Sequence, residues 1–228
     1  MPVLDKSASA VQTMFSDIAP TYDLLNHVLS ANQDKLWRRR AVRRLRPKNG
    51  ELILDLCCGT GDSTREIQNF APQCHVIGAD FAFPMLCRAQ EKKLPELVAA
   101  DALQMPFFDA SFDAVFVVFG ARNFEDTRLG LQEIARILRP GGRVCVLEFM
   151  RPTSPLVQRA FGAFNAVLAP LGRAVSRHDS AYNYLPQSIG GFYTRREFEL
   201  LLRECGFENV RSFDHAFGVA TSFLGRRK

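Results

Sequence analysis

The stretch from Leu52 to Asp62, Leu-Ile-Leu-Asp-Leu-Cys-Cys-Gly-Thr-Gly-Asp, restricts the possible folds more than any other part of the chain. A short apolar run closed by paired glycines predicts a buried strand that ends in a tight turn. Beyond the turn Ile67, Phe70 and Ala71 sit at helical spacing, so the unit reads strand, glycine loop, helix. Gly59 and Gly61 let the backbone approach a ligand closely, and the helix N-terminus offers unpaired N–H groups. A dinucleotide fingerprint needs a third glycine where this chain has Thr64, and a Walker loop needs lysine where it has Asp62. An acidic loop exit repels a pyrophosphate and favours a cationic ligand without phosphate. The loop therefore points to S-adenosylmethionine, against the alternative of a purely structural glycine turn.

On either side of the loop the chain divides in two. Residues 1–50 form an N-terminal helical lid segment, and residues 51–228 alternate strands with helices, interrupted by a helical insertion at 151–193. In the lid, Val11, Met14, Phe15 and Ile18 keep helical spacing up to Pro20, and Tyr22 to Leu29 repeats the pattern. The run from Trp37 to Arg46 is helical, with Trp37, Ala41, Val42 and Leu45 on one side and the densest arginine patch of the chain on the other. That patch is either a solvated face or one turned to an anion or a membrane.

Strands are then predicted at 76–80, 97–102, 112–119 and 144–149, with a turn at Arg139-Pro140-Gly141-Gly142 and a closing hairpin from 207–213 and 219–224. Asp80 ends the second strand about 20 residues past the glycine loop, where a carboxylate accepts ribose hydroxyls; its plain role is to cap the next helix. Asp101, at the end of the third strand, joins it on the edge where open α/β sheets bind ligands. In the insertion, Leu156, Ala160, Phe164, Val167 and Leu171 form an apolar stripe, either core or, with Phe161 and Leu168, a groove for an apolar ligand. His178 to Leu185 has no clear period, whereas Thr194-Arg195-Arg196-Glu197 is a capping box.

With 228 residues, 47% of them hydrophobic, the chain is long enough for one sizeable core. Its net charge of +5 favours anionic surroundings, and six cysteines without metal-ligand spacing suggest free thiols in a reducing compartment. Neither a signal peptide nor an apolar run of about 20 residues is found, so a cytoplasmic protein, peripheral at the inner face of the membrane, is expected.

The ordered set resembles a class I S-adenosylmethionine-dependent methyltransferase, a Rossmann-like α/β fold. It implies a seven-stranded, mostly parallel sheet with helices on both faces and the last strand antiparallel. Four stretches sharpen the match: Phe15 to Asn26 with Trp37-Arg38, Asp55 to Asp62, Phe119-Gly120-Ala121-Arg122-Asn123, and Tyr182 to Ile189. Together they resemble the UbiE/MenG family of ubiquinone and menaquinone biosynthesis C-methyltransferases over nearly the whole chain. The resemblance implies cofactor contacts at Asp55, Gly59, Thr60, Gly61, Asp80, Asp101 and Ala102. Two departures stand out: Val118 replaces a polar residue common before the Phe-Gly motif, and Ser30-Ala31-Asn32 replaces a Ser-x-Gly turn.

The implied acceptor is a polyprenylated quinol, demethylmenaquinol or 2-methoxy-6-polyprenyl-1,4-benzoquinol. Its ring carbon becomes nucleophilic once a neighbouring hydroxyl, with a pKa near ~10, loses its proton. Arg122 is placed to stabilise that oxyanion, unless it bridges to Glu125 or Asp126; Asn123 bonds a ring oxygen, and Tyr22 relays a proton. No metal is implied. A nucleic-acid methyltransferase, suggested by the arginines, would carry Asp/Asn-Pro-Pro-Tyr/Phe where this chain has Phe119 to Asn123, and a non-enzymatic subunit would have lost loop residues that are present here. The sequence leaves open whether the protein forms a homodimer.

Overall fold

The computed structural model describes residues 7–19, 30, 32–94, 96–159, 162 and 179–228. Tyr22 and the rest of the second lid helix, the insertion stripe from Ala160 to Leu171, and His178 lie outside the described residues.

The elements follow in the order α1 (Ala8–Ile18), α2 (Gln33–Leu45), β1 (Leu52–Leu56), α3 (Asp62–Phe70), β2 (His75–Asp80), α4 (Phe83–Glu91) and β3 (Leu97–Ala99). After them come β4 (Phe112–Val118), α5 (Thr127–Ile137), β5 (Leu138–Phe149), α6 (Asp179–Gly190), α7 (Arg195–Glu204), β6 (Phe207–His215) and β7 (Ala220–Arg227). Seven strands form one sheet in the order β3-β2-β1-β4-β5-β7-β6. The first five are parallel, and β7 runs antiparallel between β5 and β6.

Both faces of the central strands are covered, which is why β1 and β4 read as continuous apolar runs rather than alternating ones. Leu54, Leu56, Val115 and Val117 pack toward α5 and α7 through Leu131, Ile134 and Phe198. Ile53, Ala114 and Phe116 pack on the opposite face against α2 and α3. There Trp37, Ala41, Val42 and Leu45 are buried as expected, so the arginine helix is fastened to the sheet by its apolar side. Burying each large side chain contributes about 1.5–3 kcal/mol. Two arginines of the patch turn inward: Arg38 donates to Ser63 Oγ at 3.1 Å and pairs with buried Asp34, and Arg44 lies 4.3 Å over the Phe213 ring. Arg39, Arg40 and Arg43 stay exposed.

Helix ends follow local chemistry. Asp126 Oδ1 accepts the Leu129 N–H at the start of α5, and the Thr194/Glu197 capping box opens α7 as predicted. Three expectations need correction. The strand at 97–102 stops at Ala99, because Asp101 turns the chain by accepting the Leu103 N–H and bridging to Gln104. The turn at Arg139–Gly142 does not precede β5 but bulges within it, where the pairing with β4 jumps from Phe112–Leu138 to Ala114–Arg143. The segment read as aperiodic before Leu185 is the first half of α6.

His215 is buried at the end of β6, its Nε2 2.8 Å from Ser222 Oγ and its ring 6.1 Å from Trp37. Burial, with Arg44 and Arg40 nearby and only Asp214 opposing, pushes its pKa from 6.5 down to about 4. Folding therefore holds the imidazole neutral, and its contribution is present above pH 6.5 and lost as pH falls toward about 4. Relative to His215→Gln, the wild-type protein is expected to lose stability between those limits. Urea unfolding of both proteins at neutral pH and at about pH 5 measures this; a stability difference that does not change with pH removes the assignment.

Candidate active site

The carboxyl edge of the parallel strands opens into a cavity of about 820 Å³, its mouth included. Two residues at strand ends take left-handed backbone conformations to form its floor: Cys57 after β1 (φ 59°) and Phe119 after β4 (φ 55°). Such conformations cost about 1–3 kcal/mol and concentrate at binding sites. The two ends converge because residue 120 is glycine; a Cβ there would lie 2.5 Å from Cys57 Cβ.

Asp80 organises the cofactor side of the cavity. Its Oδ2 accepts the Gly59 N–H at 2.8 Å and its Oδ1 accepts the Ala82 N–H at 2.9 Å. Each oxygen keeps a further lone pair for a ligand hydroxyl. Burial pushes its pKa up, and the N–H groups of Ala82 and Gly59 oppose that shift. Asp101 and Ala102 line the cavity with Asp80, as does Gly59. Met85, Phe81 and Leu103 supply an apolar slot beside them, and Val11 and Phe15 of α1 cover it, with Gln12 Nε2 donating to Phe81 O at 3.1 Å. Of the predicted lid segment, α1 makes this cover, whereas α2 packs against the sheet.

Three other expected cofactor residues stand behind the loop rather than in the cavity lining. Asp55 is fully buried, its Oδ2 accepting the Thr64 hydroxyl at 2.6 Å, which pins β1 to α3. Burial pushes its pKa up to about 7 against that hydrogen bond. Thr60 is buried and accepts from Lys92 Nζ at 2.9 Å. Gly61 (φ +86°) serves packing: a Cβ would lie 1.8 Å from Leu94 Cδ1. Asp62 is not a bare acidic loop exit, because Lys92 Nζ pairs with it at 2.9 Å. The negative potential comes instead from Asp80, Asp101 and Glu125, and no Lys, Arg or His lines the cavity among the described residues. A cationic ligand fits that charge; a pyrophosphate does not.

On the opposite side, the turn Ala121–Asn123 folds Arg122 back over β5. Its NH1 donates to Glu148 Oε1 at 2.8 Å and to Phe119 O at 2.7 Å, and its backbone N–H reaches Glu148 Oε2 at 3.2 Å. Neither Glu125 nor Asp126 is its partner; Glu125 lines the cavity and Asp126 caps α5. Arg122 is 7% exposed and Glu148 fully buried, so the pair forms the wall behind the cavity and Asn123 its surface. Asn123 Nδ2 donates to Phe119 O at 3.3 Å, and its Oδ1 accepts the Tyr184 hydroxyl at 3.0 Å. Burial raises the Tyr184 pKa.

Glu148 and Tyr184 are site residues that sequence reasoning gave no role. A lone carboxylate within the apolar run Val144–Phe149 was the available signal, since a buried charge requires a partner. For Tyr184 the signal was the Tyr182 to Ile189 stretch of the resemblance, which carries no role by itself, because only tertiary contact between α6 and the β4 turn brings Tyr184 to Asn123.

A family model described as the ubiE/COQ5 methyltransferase family matches residues 3–227. A demethylmenaquinone methyltransferase of Deinococcus radiodurans is 41% identical, over 100% of this chain and 97% of its own length. A ubiquinone/menaquinone biosynthesis C-methyltransferase UbiE of Geobacter sulfurreducens is 36% identical, over 98% of this chain and 91% of its own. Among solved structures, a Thermotoga maritima SAM-dependent methyltransferase, possibly a histamine N-methyltransferase, superposes with a TM-score of 0.68 at 20% identity. It covers 95% of this chain and 99% of its own, and bears on the fold alone.

Proposed function

The chain belongs to the ubiE/COQ5 methyltransferase family, and from that premise and the cavity we propose that it transfers a methyl group from S-adenosylmethionine to a ring carbon of a polyprenylated quinol. The Deinococcus relative's name mentions demethylmenaquinone, whose quinol form is the first acceptor proposed, and the UbiE relative's name mentions ubiquinone biosynthesis, which makes a benzoquinol the second. The observation that carries the reading is a small-molecule cavity with three carboxylates and no cation in its lining, among the described residues.

In this reading Asp80 holds the ribose hydroxyls, Asp101 and Ala102 flank the adenine, and Gly59 allows close approach. Asp55, Thr60 and Gly61 keep the loop in shape. The bound cofactor supplies an electrophilic methyl on a sulfonium, and the carboxylates favour that cation. The acceptor must lie on the side of Phe119 and Asn123, with the Asn123 side chain bonding a ring oxygen. Tyr184 keeps Asn123 oriented, and Arg122 fixes the turn that carries it while its charge is shared with Glu148. Tyr22, in the lid, is assigned the proton relay. The polyprenyl tail makes contact with a membrane surface part of the proposal.

Transfer of labelled methyl from S-adenosylmethionine to a short-chain demethylmenaquinol is the expected result, with none to tRNA. Label appearing in tRNA alone would overturn it, and a cavity with no basic residue among the described ones predicts against that outcome.

A further inference from the structure

Eight large apolar side chains are exposed among the described residues, and their distribution over the surface is uneven. Phe70, at the end of α3, and Phe108, before β4, sit toward the amino edge of the sheet, and Leu200 lies within α7. Leu36, Phe83, Leu129, Leu156 and Phe217 sit at or near the carboxyl edge, the edge into which the cavity opens. Phe217 is the extreme case, 97% exposed at the tip of the β6–β7 hairpin. The pairings His215–Ala220 and Phe149–Ala220 place that tip beside the exit of β5. Phe217 and Val157 line the same surface depression, next to Leu156.

The hairpin tip is also strained. Ala216, Phe217 and Gly218 have φ of 45°, 58° and 87°, and only the last is a residue suited to that region. Stability alone favours glycine or asparagine at such a position. Here a strained backbone carries a large aromatic ring fully into solvent.

The flanking charge is positive. Lys35, Arg40 and Arg196 are exposed and have no ion pair among the described residues. Lys35 lies at the start of α2 with Leu36, Arg40 lies near enough to His215 to depress its pKa, and Arg196 opens α7 beside the depression. Exposed apolar side chains at one edge, accompanied by these three cations, match the requirements of an anionic bilayer surface.

We propose that the Phe217 hairpin, with Leu156 and Leu36, docks the protein on an anionic phospholipid surface, cavity mouth toward the bilayer. The proposal rests on the quinol reading for its biological sense, since an acceptor with a polyprenyl tail resides in that bilayer, but its own readout is independent of methyl transfer. Phe217 is the first variant to test because it makes no contribution to the core and lies outside the cavity lining.

The test is co-sedimentation of the full chain with phosphatidylglycerol/phosphatidylcholine vesicles and with phosphatidylcholine vesicles alone. Wild-type protein is expected to bind the anionic vesicles preferentially. Phe217→Asp is expected to weaken that binding at least ~10-fold, the order set by withdrawing one large apolar side chain. Arg196→Glu is expected to weaken it several-fold, by roughly the worth of two charges. Both variants should retain wild-type turnover with a soluble short-chain acceptor. Wild-type vesicle affinity in Phe217→Asp, or no binding by the wild type, overturns the proposal. So does a wild-type dimer that Phe217→Asp dissolves without any vesicle binding, which would assign the tip to a second copy of the chain. Loss of short-chain turnover in the wild type would instead overturn the quinol reading, leaving the vesicle result to stand by itself.

Discussion

Glu148→Gln is expected to lower folding stability by about 3–5 kcal/mol, because it leaves the nearly buried Arg122 guanidinium without its counter-charge. For a chain of this length that corresponds to a melting temperature lower by about 10 °C. Arg122→Lys should cost nearly as much. Lysine keeps the charge, but its shorter reach and tetrahedral ammonium do not reproduce the position from which the Arg122 NH1 bonds both Glu148 Oε1 and Phe119 O.

The kinetic consequence separates two roles for Arg122. Where it acts by holding the Phe119–Asn123 turn, both variants misplace Asn123 and lower kcat about 10²-fold, measured below their melting temperatures. Where the guanidinium itself meets the ring oxyanion, Arg122→Lys alone loses about 10²–10³ in kcat, and Glu148→Gln keeps near-normal turnover. The pairing with Glu148 leads us to expect the first pattern. Unchanged melting temperatures in both variants would show that the pair is not formed.

Asp80→Ala is expected to weaken S-adenosylmethionine binding by about 10–10⁴-fold. It removes the acceptor of one or two charge-assisted hydrogen bonds, each worth about 1.5–3 kcal/mol, at 1.4 kcal/mol per factor of ten. It also frees the N–H groups of Gly59 and Ala82, loosening the loop and the start of α4 together. Asp80→Asn should be nearly as damaging, because an amide nitrogen replaces one acceptor with a donor facing an N–H. Calorimetry is the measurement, and an affinity within about twofold of wild type would remove Asp80 from the site.

Local chemistry was enough to read the framework. Apolar runs bounded by glycine, acidic residues at strand ends and a capping box are short-range signals, and β1, β2, β4 and α7 lie where those signals put them. Asp80 was legible because a residue that ends a parallel strand comes to the ligand edge whatever packs around it, and Asp101, two residues past the end of β3, is held at the same edge by the turn it makes.

What the sequence could not express is the partner of each charge. Asp62 reads as a bare acidic exit, yet Lys92, thirty residues on, pairs with it. Arg122 reads as a free cation near Glu125 and Asp126, yet its partner is Glu148, twenty-six residues away on the neighbouring strand. Tyr184 reaches Asn123 only because α6 returns to the end of β4. Coulomb attraction and hydrogen bonding act over a few ångströms of space rather than along the chain, so these pairings exist only once the sheet order is set. The order of elements, the carboxylate that ends β2 and the apolar faces follow from residue order and side-chain chemistry. Which side chains meet the cavity and which stand behind it depends on contacts that only the folded sheet creates.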